Sequence, residues 1–462
     1  MTVPLVSSFQ QFVLSLAPVF TQPSFVNFVT VLTGWAFCLG RHTVTNIIVA
    51  AGAYRKHFSC YHRFFGRARW YPDAIGYDLL MKALEFVPDD EPVVFAVDDT
   101  LTRKTGRHIW GAAMHHDPLR STSRRAEFSF GHSWVVLAVV VRMPFSDRYY
   151  AIPVLVRLYR KKQKKRRPGR PKGERKCTGL ATVGEYRTRP ELAVEMLKIA
   201  AKWLDGRRIR VVADSEYSGK SVSRNLPENV DLFGRMVMNA ALYAEPTPRA
   251  PGQKGRARKK GDRLPNPTQL ARSRGFRWRD VRVTIYGKRV KVRVKSLRGL
   301  WYSSVGPRPL RIVVVRDPSG RRRDDCFFTT AVKANAKTVL ETIAMRWSLE
   351  VAFRDMKQSL GLEDPQSRTR LAVERTAPTA MVLYSLTVMW YAHSGHTLRE
   401  RWFKPRPWYR RKTAVSFDDM IATLRQASWV EVNSADPAQR VGSVELTGER
   451  LLHMHTSLSR AS

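Results

Sequence analysis

Acidic residues are scarce in this chain. Against 80 lysines and arginines stand 39 aspartates and glutamates, a formal net charge of +41. Such an excess opposes compaction by self-repulsion and predicts a polyanionic partner, nucleic acid first and a membrane surface second. The basic residues are spread over many segments and alternate with apolar ones, which favours a long wrapped partner such as DNA. Cysteine is scarce too. Cys38, Cys60, Cys177 and Cys326 lie far apart with no Cys-x-x-Cys spacing, which argues against a zinc site and a disulfide framework and fits a reducing compartment. A long apolar run is also missing. The most apolar N-terminal stretch, residues 25–39, contains Asn27, Thr30 and Thr33 and is short for a membrane span. It has no basic flank or small-residue cleavage site of a signal peptide. The expectation is a soluble intracellular protein without a membrane partner. What is present is 44% apolar residues over 462 positions, enough for a sizeable core and two to four domains.

Residues 1–90 carry apolar positions at helical spacing and predict an all-helical N-terminal domain. Thr43 reads as the N-cap of a helix through Ala51, with Gly52 as its stop, and a second helix is expected over 57–65. Two short helices about a glycine turn, the second exposing His57, His62 and Arg63, have the form of a helix-turn-helix and predict DNA docking. From residue 91 the pattern changes. Residues 92–97 are a continuous apolar run of strand length that ends in Asp98-Asp99-Thr100. A carboxylate at the exit of a buried strand is costly unless it is paired or metal-bound. Residues 128–143 and 149–158 predict an antiparallel hairpin turning at 144–148. The loop before it holds Arg103, Lys104, Arg107 and His108. Its His115, His116 and Asp117 are expected to meet phosphate or solvent and not a metal, because neighbours on a strand point opposite ways.

A charge block at 160–176 follows, read as a flexible loop; Arg170, within Pro168-Gly-Arg-Pro171, is expected to bind phosphate. A helix over 190–204 leads to a strand over 208–213, and this strand also ends in an acid, Asp214. A fifth strand spans 230–237. Strand, hairpin, helix, strand and strand is close to the order of a ribonuclease-H-like mixed sheet, an α/β fold. Residues 240–332 interrupt it with a basic linker and a β-rich insertion. There Val290, Val292 and Val294 alternate with Lys291, Arg293 and Lys295, as in a hairpin with one apolar face and one phosphate-binding face. Residues 343–357 read as one amphipathic helix. Met345, Leu349, Ala352, Met356 and Leu360 form its apolar stripe, and Arg346, Glu350, Arg354 and Lys357 its polar one. An apolar helix over 379–391 is expected under the sheet. Residues 399–412 interleave basic residues with Trp402, Phe403, Trp408 and Tyr409, a composition suited to nucleic acid. The expected units are therefore 1–90, 91–239, 240–332, 333–395 and 396–462.

Three acids stand in order: Asp98 or Asp99, then Asp214, then Glu350. Phosphoryl transfer on DNA commonly uses two divalent ions roughly 3.5–4 Å apart, one activating the attacking oxygen and one stabilising the leaving oxygen. Three carboxylates plus phosphate oxygens suffice as ligands for Mg2+. At this point the sequence resembles the DDE (Asp-Asp-Glu) transposases of bacterial insertion sequences, the cut-and-paste type with a β-strand insertion before the final Glu. The resemblance runs over about residues 30–395. The family signature is Tyr-x2-Arg-x3-Glu-x6-Lys; Arg346, Glu350 and Lys357 match it, with Ile343 where Tyr is usual. Asp214 with Tyr217 resembles the second-Asp motif and Asp98-Asp99-Thr100 the first. By Asp-x-Thr patterns Asp98 is the preferred ligand, with Asp99 the alternative. The resemblance implies a ribonuclease-H-like core, two Mg2+ ions with Mn2+ as substitute, cleavage at transposon ends and 3′-hydroxyl attack on target DNA. It also implies phosphate contacts from Arg346 and Lys357, and stacking of Trp301 on an unpaired base. Arg354, Arg63, Lys291, Arg293 and Arg170 complete the expected DNA-binding set. Terminal inverted repeats and target DNA would be the partners of a homodimer in the cytoplasm, associated with the nucleoid, with no small-molecule substrate. Two other readings stay open: an inactive or domesticated DNA-binding relative, and an RNA-binding or RNA-processing protein on the same core fold.

Overall fold

The computed structural model describes residues 4–106, 108–163, 179–247, 256, 258–398 and 414–435. Arg170 and the basic–aromatic stretch 399–412 fall outside them. The chain opens with five helices: α1 (Ser7–Leu14), α2 (Gln22–Phe37), α3 (Val44–Ala50), α4 (Ser59–Gly66) and α5 (Pro72–Leu84). Thr43 caps α3, its hydroxyl accepting the Asn46 amide at 3.2 Å, and Gly52 ends that turn at φ +59°, a conformation cheap only without a Cβ. None of the described helices is long and apolar enough to cross a membrane.

Strands β1 (Val93–Arg103), β2 (Ala113–His116), β3 (Phe128–Arg142) and β4 (Tyr149–Tyr159) lead through α6 (Arg189–Trp203) to β5 (Ile209–Ala213), the short α7 (Lys220–Ser223) and β6 (Val230–Arg235). The core order is β4-β3-β1-β5-β6, with β3 antiparallel to both β4 and β1, and with β5 parallel to β1 and to β6. This is the expected ribonuclease-H-like mixed sheet. The α6 helix carries its start signal in full: Thr188 accepts the Glu191 amide while Glu191 reaches back to the Thr188 amide.

Beyond β6 come β7 (Leu242–Tyr243), β8 (Arg263–Leu264), α8 (Pro267–Arg272), β9 (Arg279–Ile285), β10 (Lys288–Gly299), β11 (Leu310–Arg316) and β12 (Asp325–Thr329). The insertion extends the core. Its last strand, β12, pairs with β6 through Phe327–Arg235, Phe328–Gly234 and Thr329–Phe233, so ten strands form one sheet from β2 to β9. The chain then forms α9 (Ala336–Ala344), α10 (Trp347–Ser359), α11 (Arg370–Trp390) and α12 (Phe417–Ala435). Helix α11 is buried along most of its length beneath β4 and the N-terminal helices. Its Arg375, also buried, donates to the carbonyls of Phe65 (3.1 Å) and Trp70 (2.8 Å). This ties the end of α4 and the turn after it to α11.

Four sequence expectations change here. Strand β1 does not end at Val97. It runs on to Arg103, paired with β3 alone after β5 stops opposite Val97; the apolar pattern ended because a neighbour ended. The helix expected over 343–357 is two helices. The amides of Met345 and Arg346 bond three residues back, to Thr342 and Ile343, and this tighter turn breaks the polar stripe so that Ile343 belongs to α9. His115 and Asp117 are not in a solvated loop: His115 is buried on β2, and Asp117, just after it, is buried against Arg103 at 2.8 Å. Lys295 leaves the basic face. It is buried, donating to the carbonyls of Leu270, Ala271 and Ser273 at the C-terminal end of α8, where unpaired carbonyls favour a cation.

Candidate active site

The last paired register between β1 and β5 is Val97–Ala213. The next residue on each chain is an aspartate, so Asp98 and Asp214 leave the end of the shared ladder side by side. Asp98 stays in strand geometry. Asp214 begins a loop, and its Oδ1 accepts the amides of Glu216 (2.9 Å) and Tyr217 (3.2 Å). Helix α10 packs against β1 and β4 and brings Glu350 in its first turn, where the helix dipole favours an acid.

One guanidinium joins these groups. Arg346, at the start of α10, donates to Asp98 through Nη1, and its Nη2 lies 2.5 Å from Glu350 Oε1. Burial pushes the Asp98 carboxyl up to about 7, against the opposing pull of Arg346, and the nearby charge of Asp214 adds to the rise. Burial works against the charge on Arg346, but Asp98 and Glu350, with Asp214 behind them, hold it on. The donor set is made of hard carboxylate oxygens, and a cation already sits between two of them; this is the chemistry that a divalent ion requires. Among the described residues no three His, Cys, Asp or Glu are grouped closely enough to hold an ion; the Arg346 guanidinium bridges Asp98 and Glu350.

Asp99 faces the other side of the sheet, as strand alternation demands. Its Oδ1 accepts the Tyr217 hydroxyl at 2.9 Å; its Oδ2 accepts Ser133 Oγ at 3.2 Å and lies 3.4 Å from Arg189 Nε. Arg189 also donates to Ser133 Oγ (3.0 Å), reaches Glu216 (3.3 Å) and stacks over the Tyr159 ring. Burial and then the Asp99 charge push the Tyr217 hydroxyl well above its ordinary range, so it stays a donor. The sequence reading missed Arg189 and Ser133. Arg189 is the first residue of α6 and looks like any solvated helix start; Ser133 lies inside an apolar strand. Only Tyr217 carried a signal, its spacing from Asp214.

The remaining residues singled out from sequence are spread over the molecule. Lys357 donates to the Leu101 carbonyl at 2.8 Å and lies 3.9 Å from Glu363, tying α10 to β1. Arg354 is exposed one turn after Glu350 and pairs with Asp355 at 2.9 Å. Lys291 and Arg293 stand exposed on β10, both against Asp280, at 2.8 and 3.4 Å. Trp301 is half-buried, edge-on to Phe328 with ring centroids 5.5 Å apart. Arg63 is exposed on α4. The tip of the β9–β10 hairpin also comes to the site: Tyr286, at φ +54° beside Gly287, packs on Trp347, the first residue of α10, at 5.8 Å.

A family model described as "DDE superfamily endonuclease" matches residues 15–290, more than half of the chain. That stretch contains Asp98 and Asp214, and Glu350 lies beyond it. Among solved structures the chain is similar to a piggyBac transposase, seen by cryo-EM in a synaptic complex with hairpin DNA. The identity is 10%, the match covers 98% of this chain and 82% of that chain, and the TM-score is 0.38. No curated protein matches.

Proposed function

This chain belongs to the DDE superfamily endonucleases, and from that premise we propose that it is a DNA transposase that cuts at transposon ends and joins the freed 3′-hydroxyl to target DNA. What supports the reading is that Asp98 and Asp214 follow the last paired residues of one parallel ladder and that Arg346 bridges Asp98 to Glu350. We assign Asp98, Asp214 and Glu350 as the ligand set and place Asp99 outside it, since its carboxylate faces β3 and α6. Divalent ions, Mg2+ first with Mn2+ as a substitute, would supply charge neutralisation at the scissile phosphate and a stronger attacking oxygen. Arg346 is placed to turn from Asp98 and Glu350 to a phosphate oxygen. Lys357 anchors the helix that carries both Arg346 and Glu350, and could reach DNA only by giving up the Leu101 carbonyl.

The DNA partner follows from charge. No acid occurs before Asp73, and Arg41, Arg55, Lys56, Arg63, Arg67 and Arg69 are all exposed on the N-terminal helices and their loops. These cations, with Lys291 and Arg293 of the β9–β10 hairpin, would neutralise duplex phosphates. Joining two transposon ends requires two active sites, hence a homodimer on DNA, acting in the nucleoid of the cytoplasm. The test is Asp214→Ala in a nicking assay on DNA that carries the element's ends. We expect strand cleavage in Mg2+ to disappear and end binding to remain; full cleavage by this variant overturns the assignment. An inactive DNA-binding relative would show no divalent-dependent nicking in the wild-type chain.

A further inference from the structure

We propose that Asp99 is a positioning residue that fixes the Asp214 loop through the Tyr217 hydroxyl. This rests on the catalytic reading above. The residues 214–219 follow the end of β5, so no strand ladder holds them. Something else must set the direction of the Asp214 carboxylate, and Tyr217 is the residue that touches both sides. Its amide donates to Asp214 Oδ1 at 3.2 Å, and its hydroxyl donates to Asp99 Oδ1 at 2.9 Å. Between them the ring is fully buried, so it acts as a strut from the Asp214 loop to the underside of β1. The far end of the strut is itself immobilised. Ser133 on β3 and Arg189 on α6 donate to or pair with the other Asp99 oxygen, and Arg189 is held in turn by Glu216, two residues after Asp214. The ring of contacts therefore closes on the loop it supports: Asp214, Tyr217, Asp99, Arg189, Glu216. Two adjacent aspartates on one strand have divided the work, Asp98 facing α10 and Asp99 bracing the loop from behind. Groups that orient a metal ligand from behind typically change metal affinity by about 10–100-fold when removed.

The experiment uses the full chain and measures Mn2+ binding directly by electron paramagnetic resonance without DNA, alongside cleavage as a function of Mg2+ concentration. Tyr217→Phe keeps the ring and removes the strut's far contact. We expect its Mn2+ dissociation constant and its half-saturating Mg2+ concentration both to rise about tenfold, with cleavage at saturating Mg2+ and end-DNA binding close to wild type. Asp99→Asn still offers an amide oxygen to the Tyr217 hydroxyl and should weaken Mn2+ binding less than Asp98→Asn. A thermal melt accompanies each variant; loss of cleavage at every Mg2+ concentration with an unchanged melt counts against the proposal, because a positioning defect is repaired by excess ion. Unchanged Mn2+ binding in Tyr217→Phe overturns it, as does an Asp99→Asn defect equal to that of Asp98→Asn, which would make Asp99 a ligand. If the wild-type chain binds no Mn2+ and Asp214→Ala cuts normally, the catalytic reading itself falls and takes this proposal with it.

Discussion

Val97 of β1 and Ala213 of β5 are the last residues paired in the parallel ladder, and each is followed by an aspartate. Parallel neighbours run in the same direction, so both chains reach the end of the ladder together and present their next side chains at one edge. The third acid, Glu350, arrives on a helix that packs against β1 and β4, with Arg346 bridging it to Asp98.

Glu350→Gln keeps the size of the side chain and its place in α10. We expect strand cleavage in Mg2+ to fall by about 10³-fold or more, since a metal contributes several kcal/mol of transition-state stabilisation. Affinity for end-containing DNA, read by fluorescence anisotropy, should stay within about twofold. Unimpaired cleavage would remove Glu350 from the site.

Asp117 is buried and bonded to Arg103 and Ser129. Burial alone would raise its carboxyl, but the hydrogen bonds from Arg103 and Ser129 outweigh that and bring it to about 2. A carboxyl held below its unfolded value near about 3.9 adds stability that is complete above that pH and is lost as pH falls through about 2. Asp117→Ala, by removing the buried partner of Arg103 and Ser129, should cost about 1–3 kcal/mol in urea unfolding at pH 7. It should also flatten the acid limb of the wild-type stability profile between about pH 4 and 2. An unchanged acid limb would show that Asp117 titrates normally.

Gly76 lets α5 lie directly on β4: a Cβ there would stand 1.9 Å from the Val154 carbonyl oxygen. Gly76→Ala should lower stability by about 1–3 kcal/mol or more as α5 is pushed off the sheet. Gly40→Ala meets nothing within 4 Å and should change stability by no more than about 0.5 kcal/mol. Paired thermal melts compare the two; equal effects would refute the close approach.

DNA affinity should fall steeply with salt, because neutralised phosphates release their counterions. Lys291→Ala should weaken binding about uniformly across sequences and reduce the slope of log affinity against log salt by about 1. Asp280, which pairs with Lys291 and Arg293, gives a control: Asp280→Asn should strengthen binding. A flat salt response would leave the basic hairpin without its assigned partner.

Much of the framework was readable along the chain. The β3–β4 hairpin and the Thr43 cap of α3 are signals between residues close in sequence, and the structure has them where they were expected. The break at Met345–Arg346 was not readable, since its apolar spacing satisfies one helix or two. Lys104 was expected in a polar loop and Lys295 on a phosphate-binding face. Both are buried: Lys104 donates to the carbonyls of Glu363 and Pro365, and burial brings it down to about 8. A lysine's burial depends on whether distant carbonyls are present to receive it.

By itself the sequence determined the strong positive charge, the strand, hairpin, helix, strand and strand order of the core, and which acids follow apolar runs, because turns and hydrophobic periods act between neighbours. The tertiary structure decided the rest. Register alone carries β1 past Val97, joins β12 to β6 in a single sheet, and sends Asp98 toward Arg346 and Asp99 toward Arg189. Adjacent aspartates are chemically identical, and only the strands and helices packed on either side give them different partners.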